Sequence, residues 1–261
     1  MLDSLADSFQ AVTVFQSSHC AAVIPCFNES ASIAGLVRAV RPQVGFVLVV
    51  DDGSTDGTAN LAAGAGAIVI RRERNCGKGA ALQAGLADAL ARGCEWAVTL
   101  DGDGQHAPAD LPALFQAAKL TGAALVVGDR MRNKNQMPWL RRNVNRWMSR
   151  QLSLRAGQRL PDTQSGFRVI HLPTWAGMAL RAERFEVESE TLLAFVAAGC
   201  PVEFVPVQVL PGARRSHIRP VADSIRWLRW WRGTARLPGA GGARRSGSAT
   251  LTRTNAPAEA L

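Results

Sequence analysis

Asp101-Gly102-Asp103-Gly104-Gln105-His106 follows directly on the apolar run Trp96–Leu100. In extended backbone, residues i and i+2 share a face, so both carboxylates can point the same way. Unaccompanied, they repel each other. A hard divalent cation resolves the repulsion, because Mg²⁺-type sites often use one or two carboxylates and complete their shell with substrate phosphates. An acidic glycine-rich pair also serves as a plain turn. Three further polar clusters follow short apolar runs: Pro25-Cys26-Phe27-Asn28-Glu29, Asp51-Asp52-Gly53-Ser54-Thr55-Asp56-Gly57-Thr58, and Asn75-Cys76-Gly77-Lys78-Gly79. A carboxylate so placed can accept hydrogen bonds from a base or ribose, and helix-start N–H groups can meet an anion. Asp56-Gly57-Thr58 equally suits an N-capped turn. The loop around Lys78 resembles a weak phosphate cradle without the Walker A pattern, and Lys78 taken alone reads as a solvated helix-start residue.

Such groups need a scaffold, and the first half of the chain supplies one. Cys20–Pro25, Phe46–Val50, Ala67–Ile70, Trp96–Leu100 and Ala124–Val127 are short apolar runs suited to strands covered on both faces. Helical patterns lie between them over about Ser30–Val40, Gly57–Ala63, Lys78–Arg92 and Pro108–Leu120, with Asp56 as a candidate N-cap. The alternation predicts an α/β fold with a mostly parallel sheet flanked by helices. In such sheets ligands bind beyond the carboxyl ends of the strands, where every one of these polar clusters falls. No internal repeat is present.

The 261 residues are 47% hydrophobic, enough for a sizeable core. No apolar stretch approaches the ~20 residues of a spanning helix, and the acidic N-terminus does not read as a secretory signal. Cys20, Cys26, Cys76, Cys94 and Cys200 are odd in number and lack C-x-x-C spacing, which fits reduced thiols in the cytoplasm better than disulfides or zinc. Charge is segregated. Residues 1–129 carry 8 Lys+Arg and 13 Asp+Glu, whereas residues 130–261 carry 22 and 8. Metal and donor chemistry in an acidic half, followed by an anionic partner for a basic half, is the division this predicts.

The ordered blocks VIPCFNES, VVDDGSTDGT, NCGKGAAL, TLDGDGQHAP, GDR and DTQSGFR, spanning about Ala21 to Gln208, resemble the family 2 glycosyltransferases. They are most similar to the dolichyl- and polyprenyl-phosphate mannosyltransferase branch. The resemblance implies a GT-A nucleotide-sugar-binding fold and inverting transfer of a hexose from a nucleotide-diphosphate sugar of the GDP-mannose or UDP-glucose type. It places Pro25, Asn28, Glu29 and Asp52 at the nucleoside, with Lys78 counted in the donor-binding set. Asp101, Asp103 and Gln105 would hold Mg²⁺ or Mn²⁺ against the diphosphate. Arg130 would approach the donor or acceptor phosphate, with Asp162, Gln164, Ser165 and Arg168 near the transfer point. Asp103, Asp162 and Arg130 form the expected catalytic set. Glycine between the two acids, where the branch often has bulkier residues, is expected to loosen the loop. An anionic lipid phosphate would need no strong base, so Asp162 could instead orient the acceptor or pair with an arginine such as Arg168. A hydroxyl acceptor would give Asp162, Glu188 or Glu190 the task of base.

Acceptor clues lie in the basic half. Pro138–Leu152 is a basic helical pattern, and Ser224–Arg232 packs three tryptophans and three arginines into nine residues. Such segments suit a membrane interface, although packing against the core with a solvated basic face accounts for them too. Arg214-Arg215-Ser216-His217-Ile218-Arg219 precedes the tryptophan segment, and His217 stands where the branch commonly has lysine. Glu186–Glu190 opens a helix through Ala198, with acids where the helix dipole favours them. The expected organisation is an N-terminal extension (1–19), a catalytic domain (20–210), a membrane-interface segment (211–235) and a disordered tail (236–261). The partners expected are a nucleotide sugar, a polyprenyl-phosphate or other lipid acceptor, an anionic membrane surface and a separate membrane protein. Without a spanning helix, the expected location is peripheral, on the inner face of the cytoplasmic membrane. Transfer to a glycan, lipid or small-molecule hydroxyl, or a binding module without turnover, are the alternatives. Nucleic acid is not an expected partner, since no reading motif is present.

Overall fold

The structure is a computed structural model that describes residues 15–132, 137–184, 186–211 and 220–233. The Arg214–Arg219 loop and the 236–261 tail lie outside the described residues. The strands are β1 (Cys20–Cys26), β2 (Phe46–Asp51), β3 (Ile68–Arg71), β4 (Trp96–Thr99), β5 (Leu125–Asp129), β6 (Arg168–His171) and β7 (Val202–Pro206). The α-helices are α1 (Ile33–Val40), α2 (Thr58–Gly64), α3 (Lys78–Ala91), α4 (Leu111–Thr121), α5 (Trp139–Ala156), α6 (Leu172–Ala176), α7 (Val187–Ala197) and α8 (Pro220–Gly233). All five strands and all four helices expected in the first half are present at nearly the expected bounds.

One sheet runs in the order β3-β2-β1-β4-β6-β5-β7. β1 pairs in parallel with β2 and β4, β2 with β3, and β5 with β7, while β6 runs antiparallel to both β4 and β5. The alternating sides of β1 explain its unbroken apolar sequence. Ala22 and Ile24 join a cluster under α1 and α4, whereas Ala21 and Val23 join one under α3, α5 and α7. A strand buried on both faces has no polar side to show. The chain lays β2 and β3 on one side of β1, then returns to place β4 on the other. This reversal opens a crevice at the carboxyl ends of β1 and β4, the position where ligands enter such sheets.

The two flanks of the expected catalytic domain differ from the sequence reading. Phe15 is buried, stacked on Phe115 at 4.7 Å and edge-on to Trp96 at 5.4 Å, so the core begins before Cys20. The tryptophan segment, expected at a membrane interface, packs on the domain as part of α8. Trp227 is 2% exposed and donates from Nε1 to Ser189 Oγ at 3.1 Å. It stacks on Trp231 at 5.5 Å and meets Trp147 of α5 edge-on at 5.6 Å, while the Arg155 guanidinium lies 3.6 Å from the centre of the Trp231 ring. Aromatic and cation–π partners from α5 thus provide the core space that the short segment lacks by itself. Trp227→Ala is expected to cost about 3 kcal/mol by the loss of buried aromatic contact and the cavity left behind. Urea unfolding of the two proteins measures this, and an unchanged midpoint would exclude Trp227 from the core.

Candidate active site

The crevice is walled by the three polar clusters that end β1, β2 and β4. At the end of β1, Asn28 holds a left-handed backbone (φ 57°), a conformation asparagine tolerates better than most residues. Its N–H donates to Ser54 Oγ at 2.9 Å, and its Oδ1 accepts from the Thr55 N–H at 2.9 Å. The Glu29 N–H donates to Thr58 Oγ1 at 2.8 Å. Gly57 takes the N-cap position of α2, while Asp56 sits one residue before it. From there Asp56 accepts from Thr58 at the helix start and from the Ser30 N–H at 3.1 Å, stitching the β1 and β2 loops together. The doubled acids at the end of β2 divide the work. Asp51 Oδ1 accepts from the Ser54 N–H at 2.9 Å and closes its own turn. Asp52 accepts from the N–H groups of Cys76 and Gly77, the latter at 2.8 Å, and lies 3.4 Å from Arg72. Asp52 therefore anchors the loop that carries Lys78. Pro25 is buried at the end of β1 beneath these turns.

At the end of β4 the acidic loop is fixed rather than loosened by its glycines. A Cβ on Gly102 would lie 2.6 Å from Cys26 Sγ and 3.2 Å from Glu29 Cγ, so glycine there permits close approach to β1. The Gly102 carbonyl accepts from Ser32 Oγ at 2.6 Å, Asp103 Oδ1 accepts from the Gln105 N–H at 3.0 Å, and His106 Nδ1 accepts from the Asp101 N–H at 3.1 Å. The last bond assigns the ring proton of neutral His106 to Nε2, which lies 3.7 Å from Asp101 Oδ2. His106 stacks on Phe167 at 5.0 Å, and burial pushes its pKa down to about 4, so it is neutral near pH 7. Its backbone bridges to Val209, which ties the acidic loop to the segment after β7.

Lys78, read from sequence as a solvated helix-start residue, reaches inward. Its Nζ lies 2.5 Å from Asp101 Oδ1 and 2.6 Å from Glu188 Oε1 on α7. Burial opposes its charge, but the two carboxylates outweigh burial and raise its pKa above the ordinary lysine value. Burial likewise opposes ionisation of Asp101, and Lys78 overcomes it, holding that carboxyl well below the usual range. Asp103 moves the other way: burial and then the neighbouring Asp101 charge raise its pKa. Gly166 closes over the pair, since a Cβ there would lie 2.7 Å from Asp101 Oδ1 and 2.9 Å from Lys78 Nζ.

Arg130 and Asp162 form a buried fork. Arg130 Nε donates to Asp162 Oδ2 at 2.8 Å, Nη2 donates to Oδ1 at 3.0 Å, and the Arg130 N–H adds a third bond at 3.1 Å. Burial alone would raise the Asp162 pKa, but Arg130 reverses it and holds the carboxyl below its ordinary value. The arginine partner of Asp162 is thus Arg130 and not Arg168. Three other residues expected at the acceptor turn into the protein. Arg168 donates to the carbonyls of Ser165 (2.8 Å), Glu188 (2.7 Å) and Thr163 (3.2 Å), which leaves its guanidinium committed to backbone. Gln164 donates to Ser189 Oγ at 2.8 Å, and Ser165 is fully buried with its Oγ accepting from the Phe167 N–H. Of the candidate bases, Glu190 accepts from the N–H groups of Arg181 and Ala182, and Glu188 holds Lys78.

The open part is a cleft of about 290 Å³ whose lining includes Asp101, Gln105, His106, Arg130, Pro138 and Arg141. Arg141 was absent from the residues expected on sequence grounds. Its arginine-rich helix signalled a charged face, but nothing in the spacing marked which arginine turns toward Asp101. Its Nη1 lies 3.5 Å from Gln105 Oε1, and burial followed by the neighbouring Arg130 charge lowers its pKa.

A divalent ion fits this donor set as a shared guest. Among the described residues no three His, Cys, Asp or Glu side chains are grouped to hold a metal by themselves. Asp101, Asp103 and the Gln105 amide offer oxygens of the kind a divalent ion takes, and phosphate oxygens would have to complete its shell.

Comparison with solved structures defines the fold. Glucosyl-3-phosphoglycerate synthase from Mycobacterium tuberculosis, solved with Mn²⁺, UDP and phosphoglyceric acid, matches with a TM-score of 0.69 at 21% identity, over 92% of this chain and 84% of that one. The fold is GT-A. Residues 21–177 match the family model for glycosyl transferase family 2, and the chain belongs to that family of glycosyltransferases. Among curated relatives, the UDP-N-acetylglucosamine–dolichyl-phosphate N-acetylglucosaminyltransferase of Methanococcus voltae is 29% identical, over 72% of this chain and 84% of its own. The polyprenol monophosphomannose synthase of Mycolicibacterium smegmatis is 34% identical, over 60% of this chain and 63% of its own.

Proposed function

We propose that the protein is an inverting, metal-dependent hexosyltransferase that moves a sugar from a nucleotide-diphosphate donor of the GDP-mannose or UDP-glucose type to a polyprenyl phosphate. One observation carries this reading: the cleft is lined together by Asp101 and Gln105 of the acidic loop and by two arginines, Arg130 and Arg141. A carboxylate-held cation suits a diphosphate, and guanidinium groups suit a phosphate monoester. The relatives named for dolichyl- and polyprenol-linked products support the same acceptor class.

The engaged carboxylates also favour a phosphate acceptor over a hydroxyl. Asp162, Glu188 and Glu190 are each committed to Arg130, Lys78 or backbone N–H groups. A phosphate oxygen is already anionic near neutral pH and needs no base. In the step itself an acceptor oxygen bonds to the anomeric carbon from the face opposite the leaving group. The bond from that carbon to the nucleotide diphosphate breaks, and the electron pair leaves with the diphosphate. Bound Mg²⁺ or Mn²⁺ would be held by Asp101, Asp103 and Gln105 and would supply Lewis-acid stabilisation of the departing diphosphate. Arg130, oriented by Asp162, and Arg141 hold the acceptor phosphate in line. Pro25, Asn28, Glu29 and Asp52 shape the nucleoside end, and Lys78 keeps Asp101 ionised. This places the enzyme at the membrane that contains its acceptor, on the side supplied with nucleotide sugar.

Labelled GDP-mannose and UDP-glucose, each offered with polyprenyl phosphate and Mg²⁺ or Mn²⁺, test the proposal. The expected result is labelled lipid from one donor. Transfer only to a hydroxyl acceptor, or donor binding without turnover, would overturn it.

A further inference from the structure

Arg130 lines the cleft, and its direction is set by Asp162, which is fully buried. The aim of the fork therefore depends on what holds the segment that carries Asp162. The Gln164 N–H donates at 3.2 Å to Asp162 Oδ1, the oxygen that also accepts from Arg130 Nη2. Thr163 is held from α5: its N–H donates to Ser149 Oγ at 3.0 Å, and the two hydroxyls are hydrogen-bonded to each other at 3.1 Å. The Gln164 side chain donates from Nε2 to Thr163 Oγ1 at 3.0 Å and to Ser189 Oγ of α7 at 2.8 Å. Ser189 is fully buried, and its Oγ accepts as well from Trp227 Nε1 of α8. An unbroken line of hydrogen bonds thus runs from α8 through Ser189 and Gln164 to the carboxylate that orients Arg130. Trp227, at the far end, does more than fill space. An indole N–H is a donor only, so its contact with Ser189 has one polarity. Its ring meets Trp147 of α5 edge-on while its N–H reaches α7, so one side chain touches both helices that hold Thr163 and Gln164. A buried polar network specifies one geometry when its members are paired and loses that property when one is removed. α8 also lies beyond residues 21–177, so this support comes from outside the part of the chain that the family model matches.

We propose that Trp227 is a positioning residue for the transfer reaction, acting through Ser189 and Gln164 to aim Arg130 at the acceptor phosphate. The identity of the acceptor rests on the reading given above; the hold of α8 on the fork does not.

Two variants of the full chain test the line. Trp227→Phe keeps an aromatic ring and removes the N–H, and Gln164→Met keeps the side chain's length and removes its donors. With Mn²⁺, nucleotide sugar and varied polyprenyl phosphate, each is expected to lower kcat/KM for the acceptor about tenfold, the effect of a small misplacement of a positioning group. KM for the donor, and Mn²⁺ affinity in the presence of the nucleoside diphosphate, should not change. The double variant should fall no further than Gln164→Met alone, because both changes cut the same line. A second readout needs no acceptor. The Arg130 Nε–H resonance, identified in ¹H–¹⁵N spectra by its loss in Arg130→Lys, is expected to shift in Trp227→Phe and in the same direction in Gln164→Met. An unmoved resonance overturns the proposal. Wild-type acceptor kcat/KM in Trp227→Phe, with a lowered urea midpoint, makes Trp227 a packing residue only and overturns it too, as do losses that multiply in the double variant. A shifted resonance in a protein that glycosylates no lipid phosphate would sink the acceptor assignment and leave the hold of α8 on the fork standing.

Discussion

Asparagine at both Asp101 and Asp103 is expected to lower kcat/KM by about 10³-fold or more, the equivalent of about 4 kcal/mol of transition-state stabilisation. Both side chains keep their size, and each loses the charge that would hold a cation against the diphosphate. The fold should survive. Lys78 retains Glu188 when Asp101 becomes neutral, and neutralising Asp103 relieves the burial of its charge and the repulsion from Asp101 that together raise its pKa. Mn²⁺ affinity, followed by paramagnetic resonance in the presence of the nucleoside diphosphate, should fall with activity. Full Mn²⁺ affinity in the double variant would show that the acidic loop is a turn and not a metal clamp.

The second large effect lies at the Arg130–Asp162 fork, where loss of either partner strands a charge in the interior. Arg130→Met or Asp162→Asn alone is expected to cost about 3–5 kcal/mol of stability, because the remaining charge is desolvated without compensation. Removing both charges, as Arg130→Met with Asp162→Leu, should restore most of that stability and none of the transfer. Arg130→Lys keeps the charge but not the fork, and should regain stability better than activity. The fork also sets a pH dependence. Asp162 has a folded pKa below its unfolded value, so its contribution is present above about pH 4 and is lost as the pH falls lower. Thermal melts of the four proteins, with initial rates on lipid phosphate, separate the roles. A turnover-dead Asp162→Asn with an unshifted melting midpoint would identify Asp162 as a base instead of an orienting group.

β1, β2, β4 and β5 were legible because burial on both faces leaves each strand a short apolar block bounded by turn residues, and the partly exposed edge strand β3 was legible from its Ile-Val-Ile run alone. β6 was hidden by its composition. It has four residues, opens with Arg168 and closes with His171, and the arginine is satisfied by the carbonyls of Ser165, three residues earlier, and of Glu188 in α7. The metal carboxylates were visible because i, i+2 spacing at a strand end is a local property. The Arg130–Asp162 pairing was not, since 32 residues and a helix separate its partners in sequence. Lys78 reads as solvated until α7 delivers Glu188 from the far side of the site. The tryptophans of α8 misled for a related reason: their partners, Trp147 and Arg155, belong to another helix.

The ammonium of Lys78 on Asp101 has a thermodynamic consequence for loading on the proposed reading. A divalent ion arriving alone must compete with a cation that already neutralises one of its two carboxylates. An ion arriving with a nucleoside diphosphate brings anionic oxygens that can share the lysine's charge, so the competition is relieved. Ion and nucleotide then raise each other's affinity by equal factors, as linkage requires. The enzyme discriminates against cations that come without cargo, and the selectivity resides in a side chain that is not itself a metal ligand.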